Sequence, residues 1–189
     1  MQLGSVLKQI IKDKKKLVEE SKNKVSLQEL KIKTTEISKP IDFKNIFDSN
    51  EISLIAEIKR SSASAGDILP ELDLSNITNT YIEGGVSAIS ILTEKTRFGG
   101  SLSDLKEVAS ICKKNNVPVL QKDFIFDVYQ IYEGALNGAS AALIIVSILD
   151  EKELNQLIKT CKDLSITPLV EIFNEYELNL ALNLSLIHI

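Results

Sequence analysis

Residues 117–146 read VPVLQKDFIFDVYQIYEGALNGASAALIIV. An apolar run, "VPVLQK" (117–122), stops at charged residues, an amphipathic stretch of helical period covers Val128–Leu136, and a second apolar run, "AALIIV" (141–146), begins just after Gly138. Two strands joined through a helix in about 30 residues make a parallel crossover, because a hairpin would need only a short turn.

The same beat extends in both directions. Apolar runs recur at "LIAEI" (54–58), "AISIL" (88–92) and "TPLVEI" (167–172), and helical patterns at Leu74–Ile82, Leu102–Lys114 and Glu151–Leu164. Most helical stretches close near Gly, Asn or Ser, at Gly84-Gly85, Asn115-Asn116, Gly138 and Ser165. Near-continuous apolar strands alternating with helices predict a parallel sheet covered on both faces. The spacing suits a doubly wound sheet or a (β/α)8 TIM barrel. No GxGxxG follows the first strand, which weakens the dinucleotide-binding version.

Upstream, the first 45 or so residues read as helix, with Val6, Ile10, Ile11, Leu17 and Val18 on one face and a second pattern at Leu27, Leu30 and Ile32. Pro40 in "SKPIDF" ends it. The basic run "KDKKKLVEESKNK" has acids interleaved and reads as a solvated helix face. With 189 residues, 44% of them hydrophobic, and a net charge of −4, the chain can bury one core and is a poor partner for nucleic acid. Cys112 and Cys161 form neither a disulfide framework nor a zinc pattern and fit a reducing cytoplasm. No signal peptide or membrane-spanning run is present, so a cytoplasmic location is expected.

Charged residues collect where the strands end: Glu57 and Lys59 on the first, Lys122 and Asp123 on the third, Glu171 on the fifth. Parallel strands bring those ends to one face, which in a barrel holds the active site. Period-2 alternation sends Glu57 and Lys59 to the same side, within pairing distance. One such pair reads as a structural ion pair; three strands carrying charge to one edge read as an acid–base site. Phe98 in "RFGGS" (97–101) reads as part of an ordinary turn or as a substrate contact, and Phe124 in "QKDF" as a core aromatic or a substrate contact; on the catalytic rim both suit a flat, ring-bearing substrate. "SSASAG" (61–66) is a weak anion-cradle signal.

These segments together resemble one family, the indole-3-glycerol phosphate synthases. The resemblance is carried by "AEIKRSSASAG" (56–66), "AISILTE" (88–94), "RFGGSLSDL" (97–105), "VPVLQKDFIFDVYQIYEG" (117–134), "GASAALIIVSIL" (138–149) and "PLVEIFNEYEL" (168–178), with "KPIDF" (39–43) in an N-terminal extension. It implies a TIM-barrel carboxy-lyase of tryptophan biosynthesis. The reaction converts 1-(2-carboxyphenylamino)-1-deoxyribulose 5-phosphate to indole-3-glycerol phosphate, with loss of CO2 and water. By resemblance, Lys122 is the general acid at the substrate carbonyl and Glu171 the base of dehydration. Lys59 is partner to Glu171 or contacts the carboxylate or phosphate, and Glu57 orients the site. Ser62 contacts phosphate, and Phe98 and Phe124 pack the anthranilate ring. No metal or organic cofactor is implied, and the oligomeric state is left open. Ala63 stands where the family more usually has proline, which implies a floppier loop.

About five of eight βα units are legible, in a layout of helical extension (1–48), partial barrel (49–183) and non-native tail (184–189). The tail, LSLIHI, reads as a sixth strand or as the translation of CTG TCT CTT ATA CAC ATC, the mosaic end of transposase-based libraries, and the second origin is expected. An incomplete barrel is expected to be marginally stable, aggregation-prone and weakly active. Two other readings compete: a different phosphate-binding barrel such as phosphoribosylanthranilate isomerase, which prefers a Cys/Asp pair that no strand end carries, and a truncated, non-catalytic interaction module.

Overall fold

The computed structural model describes residues 4–48, 51–62, 66–69 and 71–183. Ala63 and the 184–189 tail, with His188, lie outside the described residues.

Five parallel strands form one sheet in the order β1 (Ile55–Ile58), β4 (Ala88–Leu92), β5 (Val119–Lys122), β6 (Ala141–Ile145) and β7 (Thr167–Glu171). Two short strands, β2 (Ser61–Ser62) and β3 (Gly66–Asp67), pair antiparallel just after β1. Crossovers run through α3 (Leu74–Glu83), α4 (Leu102–Lys114), α5 (Val128–Leu136) and α6 (Glu151–Asp163), and α7 (Glu175–Leu182) follows β7. The expected parallel sheet of βα units is present and is an incomplete TIM barrel.

Local chemistry explains the boundaries. Asp73, Ser101, Asp127, Asp150 and Asn174 each cap a helix N-terminus by accepting an early backbone N–H. At the other ends Gly85, Asn116, Gly138 and Ser165 take left-handed φ values of 79°, 56°, 89° and 57°. The turn signals therefore mark real chain reversals, two of them imposed on residues that carry a Cβ.

The sheet separates two apolar environments. Ile58, Ile89, Ile91 and Val119 pack outward against α3 and α4, while Ala142, Ile144 and Val146 pack against α5 and α6. Cys112 and Cys161 belong to these helical cores, where burial pushes both thiols up to about 12 and makes them inert. The inner face is lined by Ile55, Ala88, Leu120, Ala141, Leu143 and Leu169 around Phe43. Phe43 is fully buried in a 3-10 turn, Phe43–Phe47, and meets Phe47 edge-on at 6.2 Å.

The two helical patterns expected of the N-terminal segment form two helices. α1 (Ser5–Lys24) and α2 (Leu27–Thr34) are separate, with Ser26 and Glu29 forming a capping box at the break. Ile10, Val18 and Leu30 are buried as expected, whereas Val6 and Ile32 are more than half exposed. The basic run is not simply a solvated face, because Lys14 and Lys22 turn inward to carboxylates 109 and 105 residues away. Among the described residues no helix is long and apolar enough to cross a membrane.

Candidate active site

Alternation along β1 puts Glu57 and Lys59 on the face of Ile55, and alternation along β5 puts Lys122 on the face of Leu120. Both are the inner face, so three charges meet where the strands end. Lys59 Nζ donates to Glu57 Oε1 at 2.7 Å, and Lys122 Nζ lies 3.3 Å from Glu57 Oε2. A single carboxylate thus bridges two ammonium groups across β4. Partial burial works against the charge on Glu57, but the Lys59 hydrogen bond and the field of Lys122 outweigh it and hold the carboxyl below its ordinary range. All three side chains stay 30–38% exposed, open to a solute.

The aromatic candidates also converge. Phe98 and Phe124, from different loops, lie 6.4 Å apart between ring centroids at 43°. The Phe98 loop is shaped by Glu94, fully buried, whose carboxylate accepts the backbone N–H of Thr96, Arg97 and Phe98 as well as the Thr96 hydroxyl. Gly100 then passes so close to β4 that an added Cβ would lie 2.0 Å from the Leu92 carbonyl oxygen. The Phe124 loop is shaped by Gln130. Its Oε1 accepts from Phe126 and Asp127 N–H, and its Nε2 donates to the Phe124 carbonyl at 2.9 Å.

Ser62 sits in the small hairpin after β1, in register with Gly66. Beside it, Ser61 N–H donates to the Phe98 carbonyl at 3.3 Å, so this hairpin is tied to the aromatic loop. Arg60 pairs with Asp104 on α4. Glu171 ends β7 in register with Ile145 and shares the parity of Leu169 on the inner face. Among the described residues no ion pair joins it to Lys59, whose carboxylate partner is Glu57. Asp123, grouped with the strand-end charges in the sequence, is instead buried and bonded to Lys14 and Thr93.

A family model described as indole-3-glycerol phosphate synthase matches residues 7–187. The chain belongs to the indole-3-glycerol phosphate synthase family. Relatives of that name include one from Dehalococcoides mccartyi, 38% identical over 94% of this chain and 69% of its own length. Another, from Streptomyces griseus, is 39% identical over 92% of this chain and 63% of its own. A third, from Petrotoga mobilis, is 42% identical over 77% of this chain and 56% of its own. The chain therefore spans roughly two thirds of the length of these synthases. Among solved structures, the Bacillus subtilis YkuI protein with an EAL domain, in complex with substrate c-di-GMP and calcium, aligns at TM-score 0.52 and 13% identity. It covers 75% of this chain and 38% of its own, a likeness of fold alone.

The synthase family forms indole-3-glycerol phosphate in tryptophan biosynthesis, a carboxy-lyase reaction on a phosphorylated small molecule. Within it, the isomerase alternative loses its footing, since both cysteines are buried in helices and neither stands at a strand end. Glu94, Gln130 and Lys14 are the residues that sequence reasoning missed. Only Gln130 had a signal, the Asp127-x-x-Gln130 spacing of a capping box.

Proposed function

We propose that Glu57, Lys59, Lys122 and Glu171 carry the acid–base work of indole-3-glycerol phosphate formation in this chain. The observation that supports it is the bridging carboxylate, with Glu57 2.7 Å from one ammonium and 3.3 Å from the other. The carboxylate fixes both ammonium groups in direction, which a general acid requires. Lys122 protonates the carbonyl oxygen of 1-(2-carboxyphenylamino)-1-deoxyribulose 5-phosphate as the ring carbon bonds to the carbonyl carbon. Loss of CO2 restores the ring electrons, and Glu171 removes a proton from the substrate and returns it to the new hydroxyl, which departs as water. Lys59 pairs with the substrate carboxylate before it leaves. Phe98 and Phe124 hold the anthranilate ring, and Ser62 takes part in holding the phosphate. Confinement and proton transfer supply the rate without an added cofactor. We place the reaction in the cytoplasm, where two unpaired thiols are kept reduced.

The chain contains no tryptophan, so indole fluorescence reports product against a dark background. Lys122→Ala is expected to lower kcat by about 100-fold or more, the range for removing a positioned acid, while the fold is kept. Equal turnover by the variant would remove Lys122 from the acid's role. No product from the parent chain would show that the chain does not support the reaction alone.

A further inference from the structure

α1 reaches the site region without lending it a side chain. Lys14 Nζ donates to Asp123 Oδ2 at 2.6 Å, Lys22 Nζ donates to Asp127 Oδ2 at 2.6 Å, and Lys15 lies 5.6 Å from the Phe126 ring centroid. Three lysines of one helix hold residues 123–127, the loop that leaves β5 directly after Lys122.

The two ion pairs differ in kind. Lys22 and Asp127 are partly exposed, and such pairs contribute little. The Lys14 and Asp123 side chains are 12% and 2% exposed. A pair that deep must be desolvated, and apolar side chains of the same volume would stabilise the fold as well or better. Stability alone is therefore a poor account of it.

Asp123 is a junction. Its Oδ2 also accepts the Thr93 hydroxyl at 2.6 Å, and its Oδ1 accepts the Phe124 N–H at 2.8 Å. Thr93 N–H in turn donates to the Lys122 carbonyl at 3.0 Å, and Glu94, the next residue, shapes the loop that carries Phe98. One carboxylate joins the ends of β4 and β5, with Lys122 on one side of it in the chain and Phe124 on the other.

We infer that Lys14 is a positioning residue: by anchoring Asp123 from α1, it sets the direction of Lys122 and the approach of Phe124 to Phe98. Its catalytic consequence rests on the function proposed above; its geometry does not.

The test compares Lys14→Met, Lys14→Arg and the double variant Lys14→Met/Asp123→Asn with the parent chain. NMR reads the nuclear Overhauser contacts between the Phe98 and Phe124 rings and the Phe124 amide shift, and indole fluorescence reads kcat and KM. Lys14→Met is expected to lose the ring contacts, move the Phe124 amide and lower kcat/KM about tenfold or more, as a displaced acid should. Lys14→Arg keeps the ring contacts and stays within about threefold of the parent, because the cation is preserved. The double variant leaves no buried unpaired anion, so it retains the fold even where the single variant does not, and it still lacks the ring contacts. Parent-like ring contacts and Phe124 shift in a folded Met variant, single or double, would overturn the inference. A parent chain that makes no indole product, with ring contacts that still respond to Lys14, would remove the proposed function and leave the positioning role standing.

Discussion

On α5, Glu133 lies partly buried with Lys14 and Asp123 as its charged neighbours. Burial pushes its carboxyl up to about 7; Lys14 opposes the shift and Asp123 adds to it. A carboxyl that ionises near 4.5 when unfolded and near 7 when folded makes the native state bind the extra proton between those values. Stability from this group therefore falls as pH rises from about 4.5 to about 7. Glu133→Gln is expected to match the parent in urea near pH 4.5 and to unfold at higher urea near pH 8; equal midpoints at both would contradict it. Gly100 belongs to the same scale. Its missing Cβ is demanded by the Leu92 backbone, so Gly100→Ala should cost about 3 kcal/mol in chemical denaturation. Single residues also divide by how they announce themselves. Glu57, Lys59 and Lys122 were legible as a cluster because several strands carry charge to one edge, whereas a single strand-end pair reads as a structural ion pair. Glu94 was not, since a carboxylate satisfied by the N–H groups of its own loop leaves no distant pattern to read.

Among the elements, α3 to α6 and the five long strands could be bounded from sequence to within two residues, because amphipathic period and turn residues agree there. The N-terminal segment was harder. Its helices are covered mainly through Val18, Leu30 and Tyr129, a narrow contact that leaves Val6 and Ile32 in solvent despite their place in the pattern. Lys14 shows the other side of this problem, since nothing local distinguishes a lysine bound for Asp123 from one bound for water. The β5–α5 connection is the element on which the site depends most. Gln130→Ala removes the donor to the Phe124 carbonyl and the acceptor of two backbone N–H groups, for about 1–3 kcal/mol. Gln130→Glu keeps the acceptor and loses the donor, so its thermal midpoint should fall between those of the parent and the alanine variant.

For the whole molecule, the sheet has β1 at one edge and β7 at the other, and neither edge is paired beyond its one neighbour among the described residues. A cavity of about 660 Å³ runs beside β7, lined by Leu169, Val170, Ile172, Leu178 and Leu182, with Phe173 and Tyr176 exposed nearby. Backbone amides of β5, bonded into the sheet on both sides, should exchange with deuterium more slowly than those of β7; equal protection would mean that the β7 edge is covered in solution. The molecule is also ordered in time. α1 is synthesised before β5, and Lys14 meets its partner only after 109 more residues have been added. At about 5–20 residues per second, that is a wait of roughly 5–20 s. Through that interval Val18 has Leu30 but not yet Tyr129 to pack on, and the helix that steadies the β5–α5 loop is the piece that a nascent-chain chaperone would hold longest.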